Sequence, residues 1–200
     1  MGSGPAPALR SPLEVALYSV GPAKQLLLSL VAVLTFANSF GRDIEEGVLM
    51  DELTLPVGRG TLFAVKLAGN YLAILLADFA STLFSTWLAA ASVPFAPIAS
   101  VVLADAAYLL LYVSTAVLTS VVLRSRFGAL VVGVAVYLLE SVVLLSASAR
   151  AGDPVSILLR LILLKEVTFY TWGVLAAHLL LPLAILSSAF LYVREVMELD

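Results

Sequence analysis

The chain has 200 residues, 62% of them hydrophobic and 12% charged, with a mean hydropathy of +1.07, which is more apolar surface than a soluble domain can cover with polar groups. The fold class this implies is all-α: a polytopic membrane helix bundle of about five to six spans, forming a single transmembrane domain over residues 23–200 behind a flexible or interfacial lead at 1–22. Spans use almost the whole chain, so no globular catalytic domain fits and any energy source lies in another subunit. A net charge of -3 gives no electrostatic footprint for nucleic acid, and with Cys 0 disulfides, thiolate metal sites and a cysteine nucleophile are excluded.

In chain order, Met1 to Pro12 is rich in Gly, Ala, Ser and Pro and has no signal-peptide pattern. Leu13 to Val20 is apolar but short, and Gly21-Pro22 sets it apart, so it reads as interfacial. Ala23 to Phe40 is the first span and delivers the chain to the one sustained charged island, Gly41 to Lys66. That island carries Arg42, Asp43, Glu45, Glu46, Asp51, Glu52 and Arg59, which a bilayer core would reject. Within it Ile44, Val48, Leu49 and Leu53 form a narrow apolar stripe suited to docking, and Pro56 ends the segment.

Thr61 to Ala91 is the second span, a tight turn follows at Val93 to Pro97, and Pro97 to Leu123 is the third. Arg124-Ser125-Arg126 closes it on the side of the charged island, and Phe127 to Ala149 is the fourth. Val155 to Leu164 is too short to span and carries Arg160, with Lys165-Glu166 beyond it; it is expected to lie at the interface or dip partway in. Trp172 to Val193 is the last span, entered through an aromatic belt. Five full spans with the C-terminus inside put the N-terminus outside, and the resulting charge count assigns Arg10, Lys24, Arg150, Arg160 and Lys165 to the outer side.

The island also resembles a family. Glu46-Gly47, Leu53, Pro56-Val57-Gly58-Arg59 and Lys66 are similar in order and spacing to the cytoplasmic loop of type-2 ABC exporter permeases, which typically reads E-x-G-T-L, paired leucines, P-V-S-R and a lysine opening the next span. Val48, Glu52 and Gly58 depart from that pattern. Leu118 to Leu130 resembles a second turn of the same family. The resemblance implies that residues 41–60 hold a cytoplasmic coupling helix and that Glu46, Gly47, Leu49, Leu53, Pro56, Arg59 and Lys66 make the ATPase contact. It also implies that 155–164 is an external re-entrant segment. The implied partners are an ABC ATPase subunit that binds ATP and Mg, a second permease chain and membrane lipid; no cofactor belongs to this chain. The family commonly has six spans, and the one that would precede Ala23 is replaced here by the Leu13 to Val20 segment or is missing.

The chain lacks G-x-x-x-x-G-K-[ST], H-E-x-x-H and G-x-S-x-G, so it is read as no enzyme, with no catalytic residue and no metal site. His178, the only histidine, reads as a hydrogen-bonded bundle residue. Asp78, Asp105 and Glu140 are acids inside three different spans, which makes them candidates for a translocation path or gate. Arg160 and Lys165 are their expected partners from the outer side. Ala129, Gly133 and Ala135 suggest a close helix contact. The reading is a multi-pass cell-membrane permease subunit of an ATP-driven exporter, with the 41–60 loop and the C-terminus cytoplasmic. One alternative is an ion-coupled secondary transporter or channel-like protein worked by the intramembrane acids; another is an accessory or assembly protein that only anchors a cytoplasmic partner.

Overall fold

The computed structural model describes residues 22–47, 59–89, 95–151 and 154–195, and among these every regular element is helical. Helix α1 comprises Pro22–Phe36, a π-helical stretch Ala37–Arg42 and a last turn Asp43–Glu45; α2 is Arg59–Ala89, α3 Phe95–Leu123, α4 Arg126–Ala151 and α5 Pro154–Leu164. Helix α6 comprises Phe169–Leu175, a second π-helical stretch Ala176–Leu180 and Leu181–Glu195. Among the described residues four stretches are long and apolar enough to cross a membrane: Lys24–Glu45, Gly60–Leu88, Phe95–Leu123 and Tyr170–Arg194. Helix α5, at 11 residues, is too short to do so.

The helices form because their buried positions recur with the helical period. Gln25, Ser29, Ala32, Val33, Phe36 and Phe40 face inward from α1, and Ile74, Asp78, Thr82 and Thr86 from α2, each set repeating every three or four residues. The opposite face of α2 presents Leu72, Leu76, Phe84 and Trp87 outward. Water would not tolerate that face; hydrocarbon does. Helix α3 is the hub, packing against α1, α2, α4, α5 and α6. It accordingly buries residues around most of its circumference, among them Val101, Asp105, Tyr108, Leu109, Tyr112, Val113 and Val117.

Local chemistry sets the ends. Helix α1 runs past the expected Phe40 boundary to Glu45 and stops where Gly47 takes φ +74, a left-handed conformation that glycine adopts freely. Arg124 at φ 49 turns the chain from α3 into α4. Two acceptors then satisfy first-turn amides of α4: Ser125 Oγ receives the Gly128 N–H (3.2 Å) and Glu45 Oε1 of α1 receives the Arg126 N–H (2.7 Å). A carboxylate there also suits the positive end of the helix dipole. Thr168 and Thr171 cap α6 reciprocally. The π-helical stretch of α6 ends two residues before Pro182, whose ring nitrogen cannot donate to the carbonyl one turn back, at His178.

Helices α1 and α4 approach closely in two places. A Cβ on Gly41 would come 2.7 Å from Arg126 Cα, and one on Gly133 2.5 Å from Val33 Cγ1. The small-residue stripe expected on α4 is thus a contact at Ala129 and Gly133, while Ala135 is exposed.

Candidate functional site

Among the described residues three polar constellations interrupt this apolar bundle. The first is at the end where α1 stops and α2 begins. Lys66 of α2 forms an ion pair with Asp43 of α1, and its Nζ lies 5.7 Å from the centre of the Phe40 ring. One turn along α2, Asn70 Nδ2 donates to Ser39 Oγ at 2.6 Å. Glu45 holds the start of α4 through the Arg126 amide, and Glu46 pairs with Arg42 at 2.7 Å on the exposed side. The ends of α1, α2 and α4 are therefore tied together around the base of the 48–58 segment.

Of the residues expected to touch an ATPase, Glu46, Gly47 and Lys66 are placed at this base. Leu49, Leu53 and Pro56 lie outside the described residues, as does the expected helix from Gly47 to Leu53 beyond its first residue. Arg59 opens α2. Asp43 is engaged by Lys66.

The second constellation is buried where α1, α2 and α3 meet. Lys24 Nζ lies 2.6 Å from Asp105 Oδ2, 2.8 Å from Asp78 Oδ1 and 2.9 Å from Thr82 Oγ1. Thr82 in turn donates to Asp78 Oδ1 at 3.3 Å. Both aspartate side chains are 0% exposed, against 19% for Lys24. Lys24, expected on the outer side, is thus enclosed within the bundle rather than lying free at its surface. Helix α1 starts at the level of Asp78 and Asp105, each ten or eleven residues from its helix end and so roughly 15 Å inward.

The third constellation joins α3, α4 and α6. Tyr112 of α3 donates its hydroxyl to Glu140 Oε2, and the Tyr108 and Tyr112 hydroxyls are 2.9 Å apart. His178 places Nε2 3.1 Å from Glu140 Oε1 and Nδ1 3.3 Å from the Tyr108 carbonyl. Its ring also stacks on Tyr108, with centroids 5.3 Å apart. Glu140 is thus matched to a histidine and a tyrosine from inside the bundle, and Asp105 to Lys24. The expected pairing of these acids with Arg160 or Lys165 is not made: both basic residues are exposed, and α5 turns Val155, Ile157, Leu158 and Leu159 toward the core instead.

The acids Asp78, Asp105 and Glu140 were legible from sequence as buried charges needing partners. Their partners were not. Lys24 lies 81 positions from Asp105 and His178 belongs to a different helix from Glu140, so no local spacing announces either pair. The Asp78/Thr82 contact, one turn apart on α2, was the readable part. Asp105, Tyr108 and Tyr112 fall on one face of α3, so the second and third constellations are successive stations on a single polar stripe through the hub helix.

Compared with known proteins, the chain matches no family model, no characterised protein and no solved structure.

Proposed function

We propose that the chain is the membrane-spanning permease subunit of an ATP-driven exporter of the type-2 ABC kind. In this reading it lies in the cell membrane, with α4 as a further span, the 41–60 loop and the C-terminus cytoplasmic, and α5 as the external re-entrant segment. The observation that carries the proposal is the tied base of the charged loop: Lys66 with Asp43, Asn70 with Ser39, and Glu45 with the Arg126 amide. A loop merely solvated between two spans has no need of three cross-helix links. A loop that receives a push does, because the links pass its displacement to α1, α2 and α4 together. Closure of ATP and Mg-loaded ATPase subunits would push the Gly47 to Pro56 segment, tilt these helices and open the contact with a second permease chain toward the outside.

The experiment is disulfide crosslinking and co-purification. With single cysteines at Val48, Leu49 and Leu53 in this cysteine-free chain, crosslinks to an ATPase subunit are expected from the apolar stripe positions and not from Asp51. Absence of a crosslink at every stripe position would remove the coupling role.

The buried triad of Lys24, Asp78 and Asp105 favours a second reading, an ion-coupled transporter. Proton-driven flux through the purified chain alone, without ATPase, would select it over the first.

A further inference from the structure

The Lys24 triad has an imbalance of charge and of hydrogen. An ammonium group has three N–H bonds, and those of Lys24 are directed to Asp105 Oδ2 at 2.6 Å, Asp78 Oδ1 at 2.8 Å and Thr82 Oγ1 at 2.9 Å. The Thr82 hydroxyl spends its own hydrogen on Asp78 Oδ1. Among the described residues nothing is left for the second oxygen of either acid: Asp78 Oδ2 and Asp105 Oδ1 are fully buried and receive no hydrogen bond. Yet both carboxyl groups are gathered on one ammonium, with Asp105 Oδ2 at 2.6 Å and Asp78 Oδ1 at 2.8 Å from Lys24 Nζ. Two ionised carboxylates cannot bond to each other, since neither carries a hydrogen, and with Lys24 they would leave one uncompensated negative charge inside the bundle.

We propose that Asp78 and Asp105 together bind one proton, held between Asp78 Oδ2 and Asp105 Oδ1, so that the triad is a neutral set of one ammonium, one carboxylate and one carboxylic acid. The proton comes from water and forms an O–H bond to one carboxyl oxygen, which donates to the other; Lys24 keeps all three of its own hydrogens. One added hydrogen satisfies both orphaned oxygens and cancels the excess charge. A metal cation is poorly served here, because the ammonium already sits between the facing oxygens and only two oxygens remain. Proton loss would set two anions against each other across α2 and α3, with only the α1 ammonium to hold them. Among the described residues, the other titratable groups on the packed faces are paired or turned elsewhere. Tyr71 of α2 donates to the Ala106 carbonyl, Tyr108 and Tyr112 of α3 bond to each other, Glu140 of α4 and His178 of α6 face one another, and Arg160 of α5 is exposed. The inference rests on the triad alone, whatever drives transport.

The test is infrared spectroscopy and thermal unfolding of the full chain in lipid nanodiscs at neutral pH, comparing wild type with Asp78→Asn, Asp105→Asn and the double variant. Each single variant is expected to lose one protonated-carboxyl absorption that the wild type shows. Each should also melt close to the wild type, because the amide N–H takes the place of the shared proton while Lys24 keeps one carboxylate. The double variant leaves Lys24 buried without an anion and should melt far lower. Lys24→Gln gives a reading that leaves both acids in place: without the ammonium both are expected to protonate, so the absorption from this pair rises about twofold. The proposal is overturned if neither single variant removes a protonated-carboxyl band, if both singles melt as low as the double, or if Lys24→Gln leaves the band unchanged. It is equally overturned if sodium at constant ionic strength raises the melting temperature of the wild type but of neither single variant, since a bound cation would then occupy the place given to the proton.

Discussion

Gly133 of α4 lies so close to Val33 of α1 that an added Cβ would stand 2.5 Å from Val33 Cγ1 and 2.8 Å from Cγ2. Valine branches at Cβ and has essentially one rotamer in a helix, so it cannot swing aside. Overpacking of this kind costs about 1–3 kcal/mol, against about 1 kcal/mol gained when alanine replaces glycine inside a helix. Gly133→Ala is therefore expected to lower stability by up to about 2 kcal/mol, read from a denaturant titration in mixed micelles. Adding Val33→Ala should recover most of the loss, and a double variant no better than the single would show that the contact is not the cause.

Gly69 of α2 is the control. A Cβ there meets nothing within 4 Å, so Gly69→Ala is expected to keep the fold and gain about 0.5–1 kcal/mol from reduced backbone entropy. A loss of stability at Gly69 would mean that its open face is covered by another subunit.

The Lys66 and Asp43 side chains are 17% and 23% exposed, too enclosed for a surface pair of negligible worth. Hydrogen bonds between charged groups contribute about 1.5–3 kcal/mol, so Lys66→Met or Asp43→Asn should lower stability within that range. The exchange Lys66→Asp with Asp43→Lys should restore part of it. If the link also transmits motion, Asp43→Asn will reduce transport by more than it reduces the yield of folded chain; equal losses would leave the pair a purely structural one.

At Glu140 the outcome depends on shape as well as charge. Glutamine can still accept from Tyr112 and can donate to His178, whereas leucine strands His178 Nε2 and leaves the Tyr112 hydroxyl only its contact with Tyr108. Each stranded buried polar group costs about 1–3 kcal/mol, so Glu140→Leu is expected to be markedly more destabilising than Glu140→Gln. Indistinguishable unfolding midpoints for the two would show that the Tyr112 and His178 contacts carry no weight.

The helical architecture was readable because apolar runs broken by Gly, Pro and charged turns fix where helices lie, and the boundaries of α2, α3, α4 and α5 fell within two or three residues of the sequence expectation. The end of α1 was missed because Arg42, Asp43 and Glu45 look like loop residues until their partners on α2 and α4 are known. The pairing of Asp105 was missed for a related reason. Arg160 and Lys165 are the basic residues nearest in depth on a simple topology. The actual partner sits at the start of a helix that begins well inside the bundle, and only the packing of α1 against α2 and α3 brings it there.

The π-helical stretch Ala37–Arg42 has a consequence for how the chain tolerates changes of length. Each i→i+5 ring encloses one residue more than the α-helical ring around it, so the stretch stores a single surplus residue without disturbing the turns on either side. Removing the exposed Asn38 should close the helix to ordinary α geometry and leave Asp43 facing Lys66 and Glu45 facing Arg126. Removing a residue between Leu27 and Val31 instead would turn everything beyond it by about 100°, carrying Asp43 off the α2 face and Glu45 off the α4 amide. The same helix is thus elastic to a one-residue deletion at one place and rigid to it a few residues earlier.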